Sequence, residues 1–541
     1  MHTRNKPNIV DFTPGQAVSG SRGMVCTSQP LAAEAGIDIL KQGGNAIDAA
    51  VAAAAAMTVV EPVMNGIGGD AFALIWYQNR LYGINGSGPA PQSLSPEAIR
   101  AMGCGRMPSD GWASVTVPGA VSVWRQLARR FGRLPFAECL QPAISYARKG
   151  FDVTPVISRI WEKEYKKFQD NLPDSLFQIW ATAFSDAENL RAPLSGERWC
   201  QPDQGNTLEE IARSEGESFY RGDIARQIHD AFRNAGGFLQ QSDLAAYEAS
   251  WVDPIATVYH GYTVYEIPPN GHGIVTLMAL NILSEYEQNA CQLTGDDRLH
   301  AQIEALKLAF TDGLHTITDP AYMSVSVEQL LSRHRADLRS REIGEQALLP
   351  APGSFTSGGT IYLCTADGEG NMVSLIQSNY KGFGSGVVIP GTGIAMNNRG
   401  RDFSLNPQDA NYLQPGKKSY HTIIPGFLCR HNGEPVGPFG VMGGMMQPQG
   451  HLQVLINQID KGMDPQQALD APRWRWDGGR TIALEPIVPQ SVKHVLDQRG
   501  HCTVHADDFL EFGRGQIIRK EAVGTYLGGS ESRADGRCAV W

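Results

Sequence analysis

Hydrophobic residues in this chain gather in short runs closed off by glycine and polar corners, and the clearest run falls at 360–378. Thr360-Ile361-Tyr362-Leu363-Cys364-Thr365-Ala366 is largely β-branched, aromatic or aliphatic. Asp367-Gly368-Glu369-Gly370-Asn371 is a turn-forming corner, and Met372 to Ser378 reads as a second strand. The pattern predicts a hairpin that Thr360 opens, directly behind Gly358-Gly359.

The same reading along the rest of the chain predicts a strand at Gly23–Cys26, then two helical segments separated by Gly43-Gly44-Asn45. The second of these, Ala46 to Ala56, is so rich in alanine that it is expected to pack closely on several sides. A glycine-rich loop, Val60 to Phe72, leads into a strand at Ala73–Trp76, and another strand follows around Leu81–Ile84. The order loop then strand does not suit a nucleotide fingerprint, which needs strand, loop, then helix. An amphipathic helix runs through Trp124 and Leu127. Pro268 to Gly273 makes a turn before a helix at about 274–283, and His300 to Phe310 is a helix with Ile303, Leu306 and Phe310 on one face. Residues 326–357 turn polar with mixed charge and read as an exposed linker, the boundary between a large amino-terminal piece and a small carboxy-terminal one.

At 541 residues, the chain exceeds what one core usually supports, and its 42% hydrophobic and 19% charged residues are those of a compact enzyme. The net charge of −10, with only short basic pairs such as Arg129-Arg130 and Lys417-Lys418, argues against nucleic-acid or anionic-membrane partners. The nine cysteines are scattered and form no Cys-x-x-Cys arrangement, which signals neither a disulfide framework nor a zinc site. No metal is expected, and His272 has no carboxylate or second histidine at ligand spacing. Met1 to Pro7 is followed by no apolar run, and no stretch reaches membrane-spanning length, so a cytoplasmic location is expected.

A threonine behind two glycines at the head of a buried strand suggests a particular chemistry. If the Gly359–Thr360 bond is cut, Thr360 gains an α-amine whose reference pKa, about 8, suits a general base. One residue then supplies both nucleophile and base. The plain alternative is a loop ending at a strand.

Gly358-Gly359-Thr360, the run Asn397-Asn398-Arg399-Gly400-Arg401-Asp402-Phe403-Ser404, and Gly443-Gly444 resemble, in order and spacing, the catalytic half of the γ-glutamyltranspeptidase family of N-terminal-nucleophile hydrolases. The likeness extends over nearly the whole chain. It implies an α+β fold, a four-layer αββα sandwich, made as one precursor and cut into residues 1–359 and 360–541. It also implies that Thr360 is the nucleophile and that Gly443 and Gly444 turn their amides toward the oxyanion. No cofactor is needed for this chemistry, and the two pieces are expected to stay together, with a dimer of them left open.

Several positions depart from the family pattern. Where γ-glutamyl enzymes carry an arginine for the substrate's α-carboxylate, there is none between Arg80 and Arg100. Asp402 matches the aspartate that holds the α-amino group in those enzymes. Arg399, however, stands where they present a neutral or acidic side chain, and it is either a carboxylate contact or an ion-pair partner of Asp402. His421-Thr422 replaces paired serines, Tyr380 replaces an asparagine, and Ile361 a second threonine. Arg399, Asp402, His421, Thr422 and Tyr380 are thus the candidate substrate contacts. The remaining motifs look like the branch that contains oxamate amidohydrolase and acylase-like relatives. The expected activity is hydrolysis of a small carboxylate-bearing amide, such as oxamate to oxalate and ammonia; γ-glutamyl hydrolysis or transfer and a non-catalytic scaffold are the alternatives.

Overall fold

The computed structural model describes residues 12–186, 188–289, 293, 295–350, 358–521 and 525–541. Two seven-stranded sheets form its centre. One runs, in spatial order, Arg537–Val540, Gly23–Thr27, Gly359–Asp367, Met372–Tyr380, Asp70–Tyr77, Arg80–Asn85 and Ser250–Val252. The other runs Val18–Gly20, Tyr526–Ser530, Arg514–Lys520, Pro435–Met442, Gly426–Arg430, Tyr262–Glu266 and Ile255–Tyr259. The hairpin strand Gly359–Asp367 packs across the interface on Pro435–Met442 and Arg514–Lys520.

Helices Pro30–Lys41 and Ala46–Val60 cover the outer face of the first sheet, and Gly273–Asn289 with Met446–Ile459 covers the second. These four layers are the αββα sandwich expected from the family motifs. Strands buried on both faces explain why the hairpin reads as continuous apolar runs rather than as alternation.

Every residue of Ala46–Val60 is buried. Alanine allows backbones to approach closely on all sides and loses no rotamer freedom in the helix. The helix starts at a capping box in which the Asn45 side chain accepts from Ile47 and Asp48 while Asp48 reaches back to the Asn45 amide, a cap of about 1 kcal/mol. The Asp367 carboxylate accepts from the Ala46 amide at 2.9 Å, which fastens the corner of the hairpin to the start of this helix.

The helices expected at 274–283 and 300–310 are longer, Gly273–Asn289 and Gly295–Thr316. The linker expected over 326–357 is corrected by the structure. It contains helices Val327–Leu330 and Arg333–Ser340, with Leu330 and Ala336 buried, and both Arg335 and Arg339 pair with Asp312 on Gly295–Thr316. The mixed charges that suggested exposure are the ion pairs holding this segment down. Cys291 and the 351–357 part of the segment lie outside the described residues.

Candidate functional site

Thr360 sits at an irregularity in the hairpin ladder. Ile361 pairs with Gln377 and Ala366 with Met372, and the register shifts between Gly359 and Ile361. The residue is fully buried, with its Oγ1 2.8 Å from the Gly359 carbonyl oxygen and 3.1 Å from Ser378 Oγ. Ser378 donates to the same carbonyl at 2.7 Å and accepts from the Tyr380 amide at 2.7 Å. Ser378 was not singled out from sequence, although counting back across the hairpin corner puts it opposite Thr360.

Gly443 and Gly444 follow the strand Pro435–Met442 and precede the helix Met446–Ile459. Their φ values of +142° and +63° are costly for any residue with a Cβ. Among the described residues neither amide donates a backbone hydrogen bond, so both are available to an acceptor. The pair lies beside the chain just ahead of Thr360, since a Cβ placed on Gly358 would come within 3.2 Å of Gly444 Cα.

Arg399 opens the short turn Arg399–Asp402 and is 1% exposed. Its Nη1 donates to Thr422 Oγ1 at 2.7 Å, and its guanidinium lies 4.5 Å from the centre of the Tyr380 ring, a cation–π contact. Nε and Nη2, the edge that grips a carboxylate side-on, have no partner among the described residues. Among the described residues no ion pair joins Arg399 to Asp402; both residues meet Tyr380 instead, whose hydroxyl donates to Asp402 Oδ1 at 2.8 Å. Tyr380 has φ +82°, a strained conformation of the kind concentrated at functional sites. Burial raises the Asp402 carboxyl above its ordinary range, with Tyr380 and Arg399 opposing it.

His421 faces Asp70, with Nε2 3.0 Å from Asp70 Oδ2 and its ring 4.7 Å from that of Phe72. Burial, reinforced by Arg399, holds the imidazole neutral. Asp70 also accepts from the Gly119 amide at 3.1 Å, and burial pushes its carboxyl up to about 7 against the pull of Arg399. Thus of the adjacent candidates His421 and Thr422, one is bound to Asp70 and the other to Arg399. The glycine-rich loop that carries Asp70 lies against Ser378 and Asn379: a Cβ on Gly69 would fall 2.5 Å from the Ser378 carbonyl oxygen.

A cavity of about 600 Å³ opens beside Gly358, Gly359 and Gly443. Its floor includes Met64, Met442, Met446 and Trp476, and its walls hold seven cationic and four acidic side chains. Lys381 on this wall has its ammonium pKa brought down to about 7 by burial and by nearby Arg401. Elsewhere, His300, Glu304 and His501 are close enough to share a cation. The cation beside them is the Lys307 ammonium, 2.7 Å from Glu304 Oε1 and 3.4 Å from His501 Nδ1. No helix among the described residues is long and apolar enough to cross a membrane.

The family model described as Gamma-glutamyltranspeptidase matches residues 32–541. The chain is 35% identical to the glutathione hydrolase-like YwrD proenzyme of Bacillus subtilis (strain 168), over 96% of this chain and 99% of that protein. It is 33% identical to the oxamate amidohydrolase proenzyme of Klebsiella pneumoniae, over 96% of this chain and 98% of that one. The structure of a cephalosporin acylase from Bacillus halodurans superposes with a TM-score of 0.94 at 52% identity, covering 100% of this chain and 99% of that one. With the αββα sandwich and a match of this extent, the chain belongs to the γ-glutamyltranspeptidase family of N-terminal-nucleophile hydrolases, enzymes that act on amide bonds.

Proposed function

We propose that the chain is a proenzyme that cuts itself before Thr360, giving residues 1–359 and 360–541, and then hydrolyses an amide whose acyl part bears a carboxylate. The observation that carries this reading is the buried Arg399, with its Nε and Nη2 edge unpartnered among the described residues, beside Tyr380. A buried guanidinium edge without an acceptor is costly, and a substrate carboxylate is the group that matches its geometry.

In this scheme the Thr360 hydroxyl attacks the acyl carbonyl, and its freed α-amine takes the proton. The amides of Gly443 and Gly444 meet the oxyanion. The C–N bond breaks as the α-ammonium returns the proton to the departing amine, and water then hydrolyses the acyl-threonine ester. Arg399 sets the acyl group in place. Asp402, held by the Tyr380 hydroxyl, keeps the ring beneath the guanidinium.

Oxamate, whose carboxylate adjoins the scissile carbonyl, is the smallest substrate that fits this scheme. A second reading, an acylase for a larger amide, is favoured by the 600 Å³ cavity and its excess of cationic side chains, which suit a bulky, acidic amine portion. The processed protein would be offered oxamate, longer monoamides of dicarboxylic acids, their uncharged counterparts and a γ-glutamyl anilide, with release of ammonia or amine measured. Turnover confined to the carboxylated amides is expected. Equal turnover of the uncharged ones would overturn the reading; a preference for the γ-glutamyl anilide, whose acyl part carries a carboxylate and an ammonium, would keep Arg399 as the carboxylate contact but move the substrate to the γ-glutamyl class.

A further inference from the structure

Helix Met446–Ile459, which follows the glycine pair after Met445, carries three buried glutamines whose surroundings differ. Gln449 donates to the carbonyls of Met445 and Trp476 and accepts from the Trp476 amide. Gln453 donates to Gln449 and Trp474 carbonyls and accepts from the Trp474 amide. Both are fully used in holding the helix to the strand Trp474–Trp476. Gln447 is different: its Oε1 accepts from the Ile424 amide at 3.0 Å, but its Nε2 is buried with no partner among the described residues. The Ile424 amide fixes which end of the side chain is oxygen, so the leftover group is the donor.

The neighbours of Gln447 tie the residue to the site. The Gln447 backbone amide bonds to the Gly444 carbonyl at 3.1 Å, one turn from the amides assigned to the oxyanion. Ile424 lies two residues beyond Thr422, the residue that holds Arg399 Nη1. Arg399 and Gln447 are therefore each pinned by one atom to the segment 422–424, and each keeps buried N–H groups without an acceptor. The leftover atoms of these two side chains are donors, which suit an anionic oxygen, and the site also keeps one unpartnered carboxylate oxygen, Oδ2 of Asp402.

We propose that Gln447 is a specificity-determining residue whose side-chain amide donates, beside Arg399, to the carboxylate of the substrate's acyl group. This rests on the reading of the site given above. Gln447 adds a neutral donor to the charged one, so the carboxylate is held from two elements and its orientation toward Thr360 is fixed.

The test compares kcat/KM for a carboxylated amide with that for its uncharged counterpart of equal length, on processed protein whose cleavage is checked by gel. Two variants are used: Gln447→Met, which keeps the volume, and Gln447→Glu, which keeps the acceptor for Ile424 and replaces the donor. The ratio is expected to fall at least tenfold in both, chiefly through KM, with the deeper loss for Gln447→Glu at pH 8. An unchanged ratio in both variants, including one where both substrates lose activity equally, overturns the proposal. Arg399→Met in the same assay separates the two ideas: an unchanged ratio there removes the arginine reading, whereas a fall there with none in the Gln447 variants removes only the glutamine.

Discussion

Thr360 and Ser378 both reach the carbonyl oxygen of Gly359, at 2.8 and 2.7 Å, from opposite strands of one hairpin. The hydroxyl that would attack the peptide and a second hydroxyl that polarises it are thus in place before any cut, and a ladder irregularity at Thr360 provides the room. The first consequences concern processing.

Thr360→Ala is expected to give one undivided band on a denaturing gel, where the parent gives two, and to hydrolyse no amide. Ser378→Ala should still be cut, but more slowly by about ten- to hundredfold, the worth of a buried hydrogen bond of about 1–3 kcal/mol. Time courses of cleavage after purification would show it. Cleavage of the Ser378 variant at the parental rate would remove Ser378 from the mechanism.

Replacing Arg399 by Met should lower kcat/KM for carboxylated amides by about 10²-fold, in line with about 1.5–3 kcal/mol for a hydrogen bond to a charged group. Arg399→Lys should restore little, because an ammonium cannot reproduce the side-on edge. Full rescue by lysine in steady-state assays would show that charge alone is used.

Gly444→Ala forces a Cβ onto a residue at φ +63° and swings its amide away from the site. The expected result is a fall in kcat of about 10²–10³-fold, the usual effect of losing one oxyanion donor, with a smaller change in KM. A change confined to KM would assign the glycine pair to binding instead.

Asp70 supplies a pH dependence with a definite sign. Burial pushes its carboxyl up to about 7, so the folded chain keeps a proton that the unfolded chain gives up near pH 4. Stability is therefore lost as pH rises through that window. Asp70→Asn keeps an oxygen for the His421 Nε2–H and carries no charge. Its stability should gain on the parent's between pH 5 and 8, by on the order of 1 kcal/mol or more, read as a widening gap between the thermal midpoints. Midpoints that keep a constant separation across this range would contradict the buried-charge argument.

The hairpin, the alanine helix and the glycine pair were legible in the sequence because each rests on neighbours in the chain. Turn residues mark the corner, continuous apolar runs mark doubly buried strands, and alanine content marks close packing. Contacts between distant residues were not. Asp70 and His421 lie 351 positions apart, and nothing local in either shows that they pair. The segment 326–350 looked exposed because its arginines were seen without Asp312, the acid they close on. Arg399 was recognised as a candidate, but whether its charge was met by Asp402 depended on where Tyr380 placed its ring.

In the first sheet, Gly23–Thr27 pairs on one side with Leu363–Asp367 and on the other with Arg537–Val540, both from beyond the proposed cut. A segment of the longer product is thus threaded through the shorter one, and neither product owns a whole sheet. Severing the backbone would add two chain ends without yielding two particles: the nicked protein should elute on gel filtration where the intact one does and melt in one step. Fragments made apart would each expose open strand edges and be prone to aggregate before they met.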